Sequence, residues 1–313
     1  MHSREGNLEA VAPFDLHLSA VFLERFRPME GEQRIDDAMI TKALMIGEQT
    51  VAFTVRNEGT MEIPRITYEL YSNGKINNSL NQSAAERISF FLSLGEDIKP
   101  FYEISKNSDQ KFYPIVQSLW GFHHVKFPSI LEAAAWAILA QRELISVAKK
   151  MKKALVERFG SSLKIAGEKY WAFPDYSRLR DVGIDELYSV IRNRRKSEYL
   201  NGLFREYESI DERFLRTAQF DEAKKALMQI KGIGEWSATF VLSRGLGRME
   251  QLPENLKSII PEAAKIYGTK PSTDRITSVY GKWAGYWLLY LWAFHMSLPS
   301  EARRIRHGGP GGN

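Results

Sequence analysis

Apolar and polar residues alternate through the first third of the chain. Phe14, Leu16, Leu18, Ala20 and Phe22 follow a two-residue period, as do Val51, Phe53 and Val55, and then Ile66, Tyr68 and Leu70. That period predicts strands with one buried face. Asn73-Gly74, between Tyr71 and Ile76, has the composition of a tight hairpin turn. A helix is expected after it. Ser83 and Glu86 have capping-box spacing, Ile88, Phe91 and Leu92 supply an apolar stripe, and Gly95 can close the end. Strands plus a helix predict a small α+β domain over residues 1–105.

Beyond that point the period is helical. Ser129 and Glu132 again have capping spacing, and Ile130, Ala133, Ala134, Ala137, Ile138 and Gln141 fall on one side of the helix they start. Val147, Met151 and Leu155 mark the next helix, ended by Gly160. Further helices are expected over 185–206, 221–230, 235–245 and 276–296. No internal repeat is visible. The pattern therefore predicts an N-terminal α+β sheet domain, a helical domain over 106–300, and a basic, glycine-rich tail over 301–313 too polar to join a core.

Composition narrows the chemistry. A chain of 313 residues suits two domains of ~150 residues each. It contains no cysteine, which excludes disulfides, thiolate zinc sites and thiolate-held iron–sulfur clusters. The net charge of +5 agrees with a nucleic-acid partner without requiring one. The longest apolar run, around Trp283 to Phe294, is shorter than the ~20 residues a membrane span needs. The opening Met1-His-Ser-Arg-Glu-Gly has no apolar core of a secretory signal, so a cytoplasmic, nucleoid-associated location is expected.

The most informative stretch runs from Lys231 to Arg248. Ahead of it, Ala223, Ala226, Leu227 and Ile230 form a helical stripe; within it, Trp236, Phe240 and Ser243 line one face of a second helix. Between the two helices sits Gly232-Ile233-Gly234. Two glycines permit positive φ and close main-chain approach, and the second helix opens with unpaired N–H groups carrying partial positive charge. Helix, glycine hairpin and helix can thus grip a phosphate backbone. A short Gly-x-Gly is also a common tight turn between core helices, so the motif alone does not decide.

The longer string, with Leu252-Pro253-Glu254-Asn255 after it, closely resembles the helix-hairpin-helix DNA glycosylase superfamily, in particular its 3-methyladenine DNA glycosylase II branch. Leu94 to Tyr102, Gly121-Phe122, Ala137 to Arg142, Phe173-Pro174, Arg195 to Leu200 and Ala284 to Trp292 extend the resemblance to most of the chain. It implies an all-α, two-lobed helix-hairpin-helix domain after an antiparallel sheet domain. It also implies a monomeric repair enzyme that acts on double-stranded DNA, rotates a damaged purine out of the duplex and hydrolyses its N-glycosidic bond.

The same resemblance assigns roles. Trp236, Phe240, Trp292 and Phe22 fall where the family places base-pocket aromatics, able to attract cationic alkylated purines through their π-faces. Trp287 has the same chemistry, and both it and Phe240 equally read as core. Bifunctional members carry a Schiff-base lysine where this chain has Trp236; indole cannot act so, and a glycosylase without lyase action is expected. Lys231, Gly232, Ile233 and Gly234, with Arg244 and Arg248 beside them, are expected to hold phosphates. Gln141 and Arg142 sit where a helix end turns toward the lesion; Arg142 could fill the vacated stack, reach a phosphate or stay solvated. The clusters Lys149, Lys150, Lys152, Lys153 and Arg192, Arg194, Arg195, Lys196 could add phosphate contacts or be solvated faces. No cofactor is required, although a monovalent cation at the hairpin main chain is implied.

The family's catalytic Asp maps onto Asn255. Three explanations stay open: an engineered Asp→Asn change, a natural enzyme in which Glu254 or another acid serves, or a lesion-binding relative without turnover.

Overall fold

The computed structural model describes residues 1–36, 39–253 and 260–296. Its strands are β1 (His2–Leu8), β2 (Gln33–Asp36), β3 (Met39–Ile46), β4 (Gln49–Asn57), β5 (Ile66–Ser72), β6 (Ser161–Ile165) and β7 (Glu168–Ala172). The first helices are α1 (Leu16–Arg25), α2 (Asn78–Phe91), α3 (Lys99–Ser108), α4 (Tyr113–Ser118), α5 (Ile130–Ala140) and α6 (Ile145–Phe159). Then come α7 (Tyr176–Leu179), α8 (Ile184–Ile191), α9 (Arg194–Glu206), α10 (Glu212–Thr217), α11 (Phe220–Met228) and α12 (Glu235–Phe240). The last are α13 (Ile260–Tyr267), α14 (Thr273–Tyr280) and α15 (Ala284–His295).

Strands β1 to β5 form one antiparallel sheet in the order β1-β5-β4-β3-β2. The expected α+β sheet domain is present, with three local differences. The first is that Leu16–Arg25 is a helix, not a strand. Every residue from Leu16 to Leu23 is buried, so its apolar positions satisfy a period of two as easily as one of 3.6. Asp15 decides the matter, its Oδ1 accepting the His17 and Leu18 N–H groups at 3.0 and 3.4 Å as an N-cap.

The second difference is at Asn73-Gly74, which makes no hairpin. Both edges of β5 are already taken by β1 and β4, so the chain turns away into α2. Third, Asn77 caps α2, accepting Leu80 N–H at 2.8 Å, and Ser83 lies inside the helix rather than at its start. By contrast Ser129 caps α5 as expected, its Oγ accepting Glu132 N–H at 3.1 Å, and Gly160 ends α6.

Two further strands, β6 and β7, interrupt the helical region and pack their Leu163 and Ala172 on Ala43, Met45 and Ala52 of the sheet. The expected single helix over 185–206 breaks at Arg192, whose φ of 56° is left-handed, giving α8 and α9.

Two large cores follow. One holds residues from Ile130 to Leu246 and forms the lobe that carries the hairpin. The other joins the sheet domain and α1 to α4 with the C-terminal helices α13 to α15. Residue 105, the expected domain boundary, therefore falls inside α3, whose partners come from the far end of the chain. Tyr102 OH lies 3.0 Å from Tyr290 OH, and Tyr280 OH donates to Asp109 Oδ2 at 3.0 Å. Trp287 belongs to this core, donating its indole N–H to Tyr267 OH at 2.9 Å. Among the described residues no helix is long and apolar enough to cross a membrane. The tail from residue 301 lies outside the described residues.

Candidate active site

Helix α11 ends in a turn that reaches α12 through Gly232, Ile233 and Gly234. Ile233 is buried and staples the turn to the lobe's core, its N–H donating to Ile230 O at 2.9 Å. Gly232 has φ +95°, and a Cβ there would come within 2.4 Å of the Tyr199 ring, so both backbone and packing require glycine. Gly234 is exposed with nothing near its missing side chain, which leaves its outer side free for a ligand's close approach. No side chain caps α12, so its leading N–H groups face outward unpaired within the helix. Glu235 at this end would repel a phosphate, but Lys224 Nζ holds its Oε1 at 3.0 Å and offsets the charge. Lys231 is exposed beside the turn.

The hairpin is anchored from behind. Gln141, just past α5, donates from Nε2 to Gly232 O at 2.6 Å and to Ser237 Oγ at 2.8 Å. Lys196 is buried, and its ammonium donates to the carbonyls of Ile138, Leu139 and Gln141 at 2.9, 2.9 and 2.8 Å. It satisfies the C-terminal carbonyls of α5 and cannot also reach a phosphate. Burial pulls its pKa below the ordinary lysine value. Lys152 is likewise buried, paired with Glu132 and Glu32, so neither lysine belongs to a phosphate-binding face.

Gln141 positions the hairpin, and the residues just after it face solvent. Arg142 is exposed with φ 52°, and Leu144 at the start of α6 is 73% exposed. Leu144 was not singled out by the sequence reading. The signal was its place as an apolar residue in the turn between two expected helices.

On the other side of the hairpin, aromatic rings run inward. Trp236, 47% exposed, stacks on Phe240 with centroids 5.4 Å apart. Phe240 meets Phe127 at 5.8 Å, and Phe127 meets Phe26 at 5.9 Å. Phe26 stacks on Phe22, and both meet Trp292 edge-on at 6.2 and 5.8 Å. The expected pocket residues thus come from α1, α12 and α15 into one aromatic cluster, with Phe26 and Phe127 added to it.

Arg244 and Arg248 do not stand on the hairpin surface. The Arg248 guanidinium is held by Glu250 Oε1 at 2.6 Å and Leu215 O at 2.8 Å. The Arg244 guanidinium points inward and lies 5.4, 5.6 and 5.9 Å from the Phe26, Trp292 and Phe22 centroids. The cause is helical phase: residues 236, 240 and 244 share one face of α12 and its π-helical continuation Val241–Gly245, and that face looks into the aromatic cluster.

After Arg248 the chain is pinned up to Pro253. Gly285 N–H donates to Met249 O at 2.8 Å, a Cβ on Gly285 would come 2.9 Å from that carbonyl, and Leu252 packs into the first core. Glu254 and Asn255 lie outside the described residues. A separate cleft of about 930 Å³, lined by residues including Lys149, Lys150, Lys169 and Trp171, shares no residue with the hairpin or the aromatic cluster.

No family model matches the chain. It is 30% identical over 289 residues to the DNA-3-methyladenine glycosylase of Bacillus subtilis, covering 89% of this chain and 93% of that protein. The chain belongs to the DNA-3-methyladenine glycosylase family.

Among solved structures, the 3-methyladenine DNA glycosylase of Archaeoglobus fulgidus superposes with a TM-score of 0.70 at 21% identity, covering 94% of this chain and 98% of that one. An 8-oxoguanine glycosylase/lyase of Clostridium acetobutylicum gives a TM-score of 0.64 at 16% identity over 94% and 98% of the two chains. That protein was solved on double-stranded DNA with cytosine opposite 8-oxoguanine. These two share the sheet-then-helices fold. The hairpin and the aromatic cluster therefore sit in a fold shared with solved DNA glycosylases.

Proposed function

We propose that the protein is a monomeric, monofunctional DNA N-glycosylase that flips alkylated purines of the 3-methyladenine and 7-methylguanine type out of duplex DNA and releases them by hydrolysis. The observation that carries this reading is Trp236. It follows the hairpin by two residues, where a lyase needs a lysine amine, and it continues inward as a stack of rings. Such rings favour flat, electron-poor purines, and cationic ones most. The exposed Lys231, the open side of Gly234 and the uncapped start of α12 supply the phosphate grip. A monovalent cation at the hairpin would share carbonyls already in use, since Gly232 O accepts Gln141 Nε2 and Ile230 O accepts Ile233 N–H. Each retains one lone pair, and no step of the reaction depends on the ion.

The test is a duplex bearing a single 7-methylguanine. Free base is expected in the supernatant, with strand breaks appearing after alkali and no borohydride-trapped adduct. Trapping of a covalent complex would make the protein a lyase. Tight binding to an abasic analogue without base release, at excess enzyme, would instead make it a lesion-binding relative.

Leu144 is suited to hold open the gap left by the flipped base. Apolar wedges stabilise unstacked steps, and this one stands on a turn tied through Gln141 to the hairpin. Leu144→Ala is expected to slow single-turnover release from duplex by ~10-fold, worth ~1.4 kcal/mol, with little effect on single-stranded substrate. An equal slowing on both would place the side chain elsewhere in the cycle.

A further inference from the structure

Arg244 is an unusual group to find inside an aromatic cluster. Its Nη1 is sealed from solvent and has no hydrogen-bond partner, and no carboxylate pairs with it among the described residues. His124, whose ring feels the Arg244 charge, also has both ring nitrogens buried without partners. Burial, reinforced by the Arg244 and Lys126 charges, holds that imidazole well below its ordinary pKa and therefore neutral. Lys126 is a second cation, and the carboxylate near it, Glu96, is held on Lys126 Nζ at 2.6 Å. Burial also pulls the guanidinium down to about 10, which leaves it charged at neutral pH. The backbone is fixed: Phe127 N–H donates to Arg244 O at 2.8 Å. A half-buried guanidinium with a sealed, unpartnered Nη1 and no counter-ion among the described residues is costly to keep, and its donors stay available to whatever enters beside Phe22 and Trp292.

We propose that Arg244 is a catalytic residue that contacts the flipped base and stabilises the electron pair the base takes away. This rests on the glycosylase reading above. When the N-glycosidic bond breaks heterolytically, both bonding electrons stay on the purine nitrogen and C1′ becomes oxocarbenium-like. Water then adds its oxygen to C1′ and releases a proton to solvent. A cationic alkylpurine departs neutral and a neutral purine departs as an anion. In both cases the base becomes more negative by one charge. A fixed guanidinium beside it therefore favours the transition state over the bound substrate. The surrounding rings offset its repulsion of a cationic base before the bond breaks. Catalysis is thus driven from the leaving group, in a chain whose sugar-side position carries Asn255 in place of a carboxylate.

The experiment compares the full-length protein with Arg244→Met and Arg244→Lys on 7-methylguanine duplex, measuring single-turnover release, affinity for the lesion duplex and melting temperature. Arg244→Met is expected to release base ~10²-fold more slowly while binding the cationic lesion as tightly as wild type or more tightly, because a like charge has been removed. Its melting temperature is expected to hold or rise. Arg244→Lys is expected to retain more activity than Arg244→Met. An unchanged rate in Arg244→Met overturns the proposal, as does a parallel loss of rate, binding and melting temperature in both variants. If wild type itself releases no base, the glycosylase reading fails instead, so the two failures are distinguishable.

Discussion

Replacing Asn255 with aspartate is expected to raise single-turnover release of 7-methylguanine by ~10²-fold or more. Glycosidic cleavage builds positive charge on the sugar, and a carboxylate near C1′ stabilises that charge and orients the incoming water. A carboxamide offers a dipole but neither charge nor a useful proton acceptor. Alkylated purines tolerate the lack because they already carry the charge that makes them leave. The chain leading to Pro253 is held by the Met249–Gly285 hydrogen bond and by Leu252 in the core, neither of which the substitution touches. The variant should also acquire an acidic limb in its rate–pH profile, near the ordinary carboxylate value of about 4. No gain in rate would remove residue 255 from the catalytic position, and Glu254→Gln would then be the variant to examine.

How much of this was legible beforehand depended on whether a local signal agreed with the tertiary context. Ser129 and Gly160 bracket α5 and α6 because caps act locally and survive any packing. The alternation in β4 and β5 was readable because one face of the sheet meets α1 and α2. Strand β1, His2–Leu8, gave no signal, since an edge strand that is half exposed need not alternate. Ser83 looked like a cap but lies within α2, where Asn77 had already begun the helix. In the candidate site, the hairpin string sets the register of Gly232, Gly234, Trp236 and Phe240, whereas Phe22 and Trp292 were named only through the family resemblance, and the structure brings these rings into one cluster. The place of Arg244 was not legible. Its place beside the hairpin suggested a phosphate contact, whereas phase along α12 and its π-helical continuation turns it inward with Trp236 and Phe240.

Replacing Lys152 with methionine is expected to destabilise the fold by ~3–5 kcal/mol at neutral pH, read from the urea midpoint. The ammonium sits between Glu132 Oε1 at 2.7 Å and Glu32 Oε1 at 2.5 Å, and Lys42 reaches the same Glu32 at 3.1 Å. Together these groups tie α5 and α6 of the hairpin lobe to β3 and the turn before β2. Burial alone would pull Lys152 down and push Glu32 up, but the facing charges outweigh it, so Lys152 is raised and Glu32 lowered. In the wild type, Glu32 therefore contributes stability that is present above its unfolded pKa near 4.5 and is lost as pH falls through its lower folded value. Without Lys152, Glu132 is left buried with no ammonium beside it. Adding Glu132→Gln to Lys152→Met should recover part of the loss. A variant that loses less than ~1 kcal/mol, with the wild-type pH slope, would mean that water rather than Lys152 compensates these carboxylates.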